Sequence, residues 1–356
     1  MSEMIEKMPK KNPLSLQIDP ARFEPATEDE KAQQDIMHES TSFLRDGMRK
    51  LMKNPLAVGA IITIIIIILM IIIVPRVVPY GYDEIIRVNG SRDKTVTNLA
   101  PFHYSEKELA AIANGEKIFP HIMGTDSLGR DYFVRVVEGA KVSLSVGLFA
   151  SILVLIIGVL YGSISGYKGG RTDLIMMRIV DIIYSLPDVL IIILLSVVLN
   201  QTLDPNNPIV KALGTNMVAI FIVFGLLYWV GMARLVRGEI LQIKNNEYIL
   251  AAQAMGGKSS HIIRTHIIPN CISVIIITTA LQIPSAIFTE SFLSFMGMGV
   301  QAPMPSLGSL ANSARQGLQS YPWQLVFPAV LIILIVLAFN LLGDGLRDAF
   351  DPKLRR

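Results

Sequence analysis

The chain has 356 residues, of which 51% are hydrophobic and only 17% charged. Soluble domains carry about 25% charged residues, so this is a membrane composition; the small net charge of +3 argues against a nucleic-acid partner. A single cysteine, Cys271, excludes an internal disulfide framework. His38, His103, His121, His261 and His266 lack cysteine pairs or an HExxH setting, so no metal site is expected.

Residues 1–54 form a polar tail rich in Lys, Glu, Gln, Ser and Pro, expected to be mobile in part. The first apolar run starts near Leu56, too far in for a signal peptide, and has no small-residue cleavage site. It stays uncharged for 19 residues, and a bilayer span needs about 20, so 55–78 reads as a permanent anchor. A loop over 79–141 follows. Its HIMGTDSLGRD segment, from His121, reads as turns. The next stretch, FVRVVEGAKVSL, reads as an amphipathic helix lying on the membrane surface. Residues 142–345 form a five-helix core, with spans near 142–165, 174–199, 217–236, 271–295 and 323–343, and 346–356 is a short tail.

Charges inside spans are costly, about 2.5–3.5 kcal/mol at a helix centre, so each needs a reason. Arg178 and Asp181 stand at i, i+3 near the start of the third span, where they are expected to form a structural pair. Asp188 follows Pro187, where a kink exposes a polar lining or gate. Glu290 falls near the outer edge of the fifth span; it reads as an interfacial carboxylate at an outer gate or, equally, as a solvated helix end. The glycines of the second span, Gly147, Gly158, Gly162 and Gly166, suit close helix packing.

Between the fourth and fifth spans lies a polar elbow, 237–270. Lys244 to Met255 has helix-forming composition, and Gly256 and Gly257 stop it as C-terminal glycines do. Ser259 or Ser260 caps a second short helix that ends before Pro269. The stretch Ala252 to Ser259, AQAMGGKS, is one substitution from the phosphate-binding pattern GxxxxGK[ST], but Ala252 replaces the first glycine and no strand precedes it. Basic residues fix the orientation. Nine precede the first span, five lie in Arg234–Arg264 and four follow Gly345, whereas 200–216 and 300–322 hold one each. Both termini and the elbow are therefore expected in the cytosol, with 79–141 outside.

The elbow resembles the cytoplasmic EAA loop of permease subunits in binding-protein-dependent ABC importers: EAA, three residues, Gly, nine residues, then I-x-L-P. Ala251, Ala252, Gly256 and Pro269 fall at matching positions, with Leu250 for Glu, His266 for Ile and Ile268 for Leu. The peptide-importer wording, YxLAAxAxG followed by RHxxPN, fits from Glu247 and Tyr248 onward, with Thr265 inserted before His266. HIMGTDSLGRD, GYKGGRTDLIMMRIVDIIYSLP, TESFLSFMGMGVQAPMPSLGSL and NLLGDGLRDAFDPKLR are similar to other segments of the same branch, so the resemblance runs from about residue 40 to the end. It is to the C-type permease of oligopeptide, dipeptide and nickel importers. ARFEPA in the tail and the extended outer loop favour the oligopeptide type, although nickel and glutathione importers share most of these motifs.

That resemblance implies an all-α polytopic membrane protein with six transmembrane helices of the ABC type I importer permease fold and a cytoplasmic coupling helix. It implies residence in the cell membrane beside a second homologous permease, two ATPase subunits and an extracellular or periplasmic substrate-binding protein. ATP and magnesium would be bound by the ATPase subunits, leaving no cofactor and no catalytic residue here. Glu247, Tyr248, Ala251, Ala252, Gly256, Gly257 and Pro269 would dock the ATPase subunit, with Ala251 and Ala252 as a small face for close approach. A self-contained secondary transporter, the competing class, predicts inverted repeats and midplane charge pairs, and the sequence carries neither.

Overall fold

The computed structural model describes residues 43–88, 91–300 and 302–350. Most of the tail expected to be mobile, and the last residues of the chain, lie outside them. The chain divides into two units, 1–46 and 47–356, with helix α1 (Phe43–Leu51) across the boundary. The second unit holds all later elements.

Helix α2 (Pro55–Val77) starts where Asn54 accepts hydrogen bonds from the Leu56 and Ala57 amides and where proline occupies the first turn. It is the expected first span. The loop beyond it folds into a small subdomain with a two-stranded antiparallel sheet, β1 (Arg87–Val88) and β2 (Ser91–Arg92), and helix α3 (Glu106–Ala113). A capping box opens α3: Ser105 Oγ accepts from the Glu108 amide, and the Glu108 carboxylate accepts from the Ser105 amide. Glu108, His121 and Asp131 are buried in a row. His121 donates from Nδ1 to Asp131 at 2.9 Å and from Nε2 to Glu108 at 3.0 Å. Burial alone would lower the imidazole pKa, but two bonded carboxylates outweigh it and raise the value from 6.5 to about 9. Burial likewise works against the Glu108 carboxylate, yet the bonds from His121 and Ser105 hold it below its ordinary range.

Asp131 also caps α4 (Tyr132–Lys168), accepting the Val134 amide at 3.0 Å. The FVRVVEGAKVSL stretch, expected to lie flat on the membrane, is instead the opening of this helix. Val134, Val136 and Val137 are buried, so protein rather than lipid covers its apolar side. At 1.5 Å per residue the 37-residue helix is about 55 Å long, against an apolar slab of roughly 30 Å, so its ends stand clear of a bilayer.

The third span is not one helix. Helices α5 (Gly170–Ser185) and α6 (Asp188–Thr202) meet at a bend of 89°. Pro187 has no amide hydrogen to donate and disfavours helical geometry at Leu186, which is extended at φ −82° and ψ 141°. Then follow α7 (Pro208–Leu213), α8 (Thr215–Leu227), α9 (Trp229–Ile243), α10 (Glu247–Ala254), α11 (Ser259–Ile262), α12 (Ile268–Phe295), α13 (Leu307–Ala314) and α14 (Trp323–Phe350). Among the described residues, 55–77, 132–168, 215–243, 259–295 and 323–350 are five stretches long and apolar enough to cross a membrane, and counting the bent pair as one span gives six.

Helix α4 is the central post. A Cβ at Gly158 would meet Met232 at 2.5 Å, one at Gly162 the Ala233 carbonyl at 2.5 Å, and one at Gly166 Ile240 at 3.0 Å. This stripe lets α9 pack directly on α4, and Gly147 does the same for Ile287 of α12. The close packing expected of these glycines is what the structure has.

Candidate functional site

The elbow begins in the last turns of α9. Arg237 of α9 donates through Nε and Nη2 to the two oxygens of Asp173 in α5, at 2.5 and 2.6 Å, and Ser165 of α4 donates to the same carboxylate at 2.5 Å. Lys244 donates to the Gly166 carbonyl at 3.0 Å. The strand-free elbow is thus bolted at its base to the ends of α4 and α5. Sequence reasoning missed this clamp: Asp173 and Arg237 stand 64 positions apart, and no local spacing joins them.

Helix α10 begins after Asn246, whose backbone is extended and whose side chain makes no capping bond. It ends as expected. Gly257 N–H donates to Ala252 at 3.1 Å and Gly256 N–H to Gln253 at 2.9 Å, a Schellman pair, with Gly256 at φ +79°. The stretch that resembled a phosphate loop is therefore a helix end and its reversing turn. The second half departs from expectation. Lys258, not a serine, stands at the N-cap of α11. The helix does not stop before Pro269: a π turn at Ile263–Ile267 carries it into α12, and Pro269 sits in the first turn of α12, where its missing N–H is tolerated.

The two faces of α10 differ. Ile249 is fully buried and Ala252 is 8% exposed, packed with Val236, Ile240, Ile262 and Ile267 from α9 and the following turns. Ala252 therefore belongs to the elbow's own core and not to an outward docking face, because the rotation of the helix turns it toward α9. Ala251 points outward, surrounded by Glu247, Tyr248, Leu250, Ala254 and Met255, and Met255 is 83% exposed. The outward side of α10 is thus an exposed, largely apolar patch with a small residue at its centre, on a helix anchored from behind.

Other expected residues are placed as follows. Asp181 pairs with Arg234 of α9 at 2.7 Å rather than with Arg178, whose side chain is exposed. A partner across the helix interface competes better than one along the same helix, and Arg234 is further held over the Tyr184 ring at 4.1 Å. Asp188 is the first residue of α6, directly after the break. Glu290 is no solvated helix end; it is fully buried. Its carboxylate accepts from Ser294 at 2.7 Å, Ser143 at 2.8 Å and Ser291 at 3.3 Å. Ser143 Oγ in turn accepts the Leu307 amide at 3.3 Å, and Ser294 Oγ the Val300 amide at 3.0 Å, so this cluster fixes α4, α12 and the start of α13 together. Of its members, only Ser294 stood at helical spacing from Glu290 in the sequence. Among the described residues, no group of three or more His, Cys, Asp or Glu side chains is arranged to hold a metal ion.

Two family patterns match the chain. One, described as binding-protein-dependent transport system inner membrane component, covers residues 158–356. The other, the N-terminal TM domain of oligopeptide transport permease C, covers residues 42–101. Among similar proteins, the oligopeptide transport system permease protein OppC of Bacillus subtilis (strain 168) is 41% identical over 94% of this chain and 97% of its own length. The dipeptide transport system permease protein DppC of the same organism is 42% identical over 90% of this chain and 89% of its own. The oligopeptide transport system permease protein OppC of Escherichia coli (strain K12) is 37% identical over 89% and 93%.

Proposed function

The chain belongs to the family of binding-protein-dependent transport system inner membrane components, and from that premise we propose that it carries peptides, oligopeptides foremost, into the cell as the permease subunit of an ABC importer. It works beside a second permease subunit. Two ATPase subunits bind and hydrolyse ATP with magnesium, and an outer binding protein delivers the cargo. Helix α10 is the coupling helix. The observation that carries this reading is the split character of α10: one face is locked into the core of α9 and α12, and the other offers Tyr248, Leu250, Ala251 and Met255 to a partner. A short helix held that way moves as a rigid body with the spans behind it. The basic residues around it favour the cytosolic side for it and for both chain termini.

The two neighbouring alanines provide the test. Ala251→Asp puts a carboxylate in the outward patch; it should release the ATPase subunits during purification and stop peptide uptake while the spans keep their thermal stability. Ala252→Asp buries a charge inside the elbow, so stability itself should fall, by about 2 kcal/mol or more. Normal uptake by the Ala251→Asp complex with ATPase subunits attached would remove α10 from the coupling role.

A further inference from the structure

Three spans carry a change of helix or an internal proline. The third breaks at Leu186–Pro187, the fourth changes helix at Tyr228, and the fifth carries Pro284 inside α12. Each position lies well inside its span. Pro187 and Pro284 supply no amide hydrogen to the carbonyl four residues before them. In hydrocarbon such groups must find another partner, and irregular backbone at membrane depth is tolerated only inside protein or along a wet cavity.

A cavity of about 510 Å³ lies beside these positions, between α5, α6, α9 and α12. Tyr184, Pro187, Tyr228, Gly231, Gln282 and Ser285 line it. Among the described residues lining it, none is charged; the nearby Arg234 and Asp181 are engaged with each other. The Tyr228 hydroxyl shares a hydrogen bond with Thr289 at 2.7 Å. Among the described residues, the amide of Gln282 and the hydroxyl of Ser285 have no hydrogen-bond partner within the chain. Lipid tails cannot serve these groups, and retaining them inside a span calls for a polar occupant.

We propose that this cavity is a contact site for the main chain of a peptide in transit. The inference rests on the peptide-importer reading and deepens it. An amide and hydroxyls pair with the N–H and C=O groups that every peptide bond repeats, whereas a charged lining would favour one class of side chain. The tyrosine rings give an apolar surface on which side chains of different shapes can slide. The site therefore reads backbone and ignores sequence, and a carrier of varied peptides requires that property.

The test uses the complete importer in proteoliposomes. Photoreactive p-benzoylphenylalanine replaces Tyr184, and a radiolabelled tripeptide is presented with the binding protein and ATP. Crosslinking to the peptide is expected; exclusive crosslinking to the second permease subunit or to lipid overturns the proposal. In a second arm Gln282→Leu should slow uptake by about fivefold, the scale of one or two lost hydrogen bonds. The loss should be equal for trialanine and trilysine, and unchanged uptake, or a loss confined to one peptide, overturns a backbone-reading site. In a third arm Gly231→Leu should block uptake, because a Cβ there meets nothing within 4 Å and the larger side chain enters the cavity without clashing at its root. Uptake at the wild-type rate overturns the proposal. The underlying reading fails separately, if the wild-type complex imports no peptide at all.

Discussion

Gly256 carries a backbone of φ +79°, and a Cβ there would meet no atom within 4 Å. Its cost on substitution is therefore conformational and not steric. Gly256→Ala should lose about 1–2 kcal/mol of elbow stability, and Gly256→Val should lose more, since a β-branched side chain resists the left-handed region. Peptide uptake should fall in that order while the spans still insert, as followed in proteoliposomes. His121 makes a different prediction. Its folded pKa, about 9, lies above its unfolded value of 6.5, so its stabilisation is complete below about pH 6.5 and disappears as pH rises through 9. Glu108 has the opposite sign: its folded pKa is lowered, and its contribution is lost as pH falls through the carboxylate range. Amide protection in 91–131, relative to the intrinsic exchange rate at each pH, should fall on alkalinisation towards pH 9, and His121→Ala should remove that fall while costing about 3–5 kcal/mol through the two carboxylates left buried. The conformation of Gly256 was legible in the sequence because paired glycines after a helical run have one common use. The division of labour between Ala251 and Ala252 was not, because two adjacent small residues give no phase to the helix until α9 shows which side is inside. The His121 network was equally hidden, its members being scattered over helix α3, the loop at His121 and the cap of α4.

Helices as units were read more securely than their edges. Long apolar runs make long helices whatever they pack against, so five helical stretches long enough to cross a membrane overlie five of the apolar runs read as spans. The opening of α4 escaped because Val134, Val136 and Val137 make the same pattern whether their apolar side meets lipid or protein. The sharp bend of the third span was visible only as Pro187; whether a proline kinks a helix gently or turns it through 89° depends on what receives the second half. The α4–α9 contact depends on the stripe from Gly158 to Gly166. Gly162→Leu should separate the two helices, because its first side-chain carbon alone would lie 2.5 Å from the Ala233 carbonyl, which cannot rotate away. Overpacking of this kind costs about 1–3 kcal/mol or more, and a lowered Tm of the detergent-solubilised complex is the measurement.

At the scale of the whole molecule, orientation ties the pieces together. With buried Cys271 replaced, His103→Cys should react with a membrane-impermeant thiol reagent on intact cells, and Met255→Cys, though 83% exposed, should react only after the cells are opened. The reverse pattern would turn the molecule over and take the elbow away from any cytosolic ATPase.

Helix α4 starts at the Asp131 network and ends beside Gly166 and Lys168, next to the elbow, with 37 residues in one piece. It is a shaft without a joint, and a shaft has no slack. The Asp131 network and the elbow then keep one clock: a stroke delivered at either end is already under way at the other.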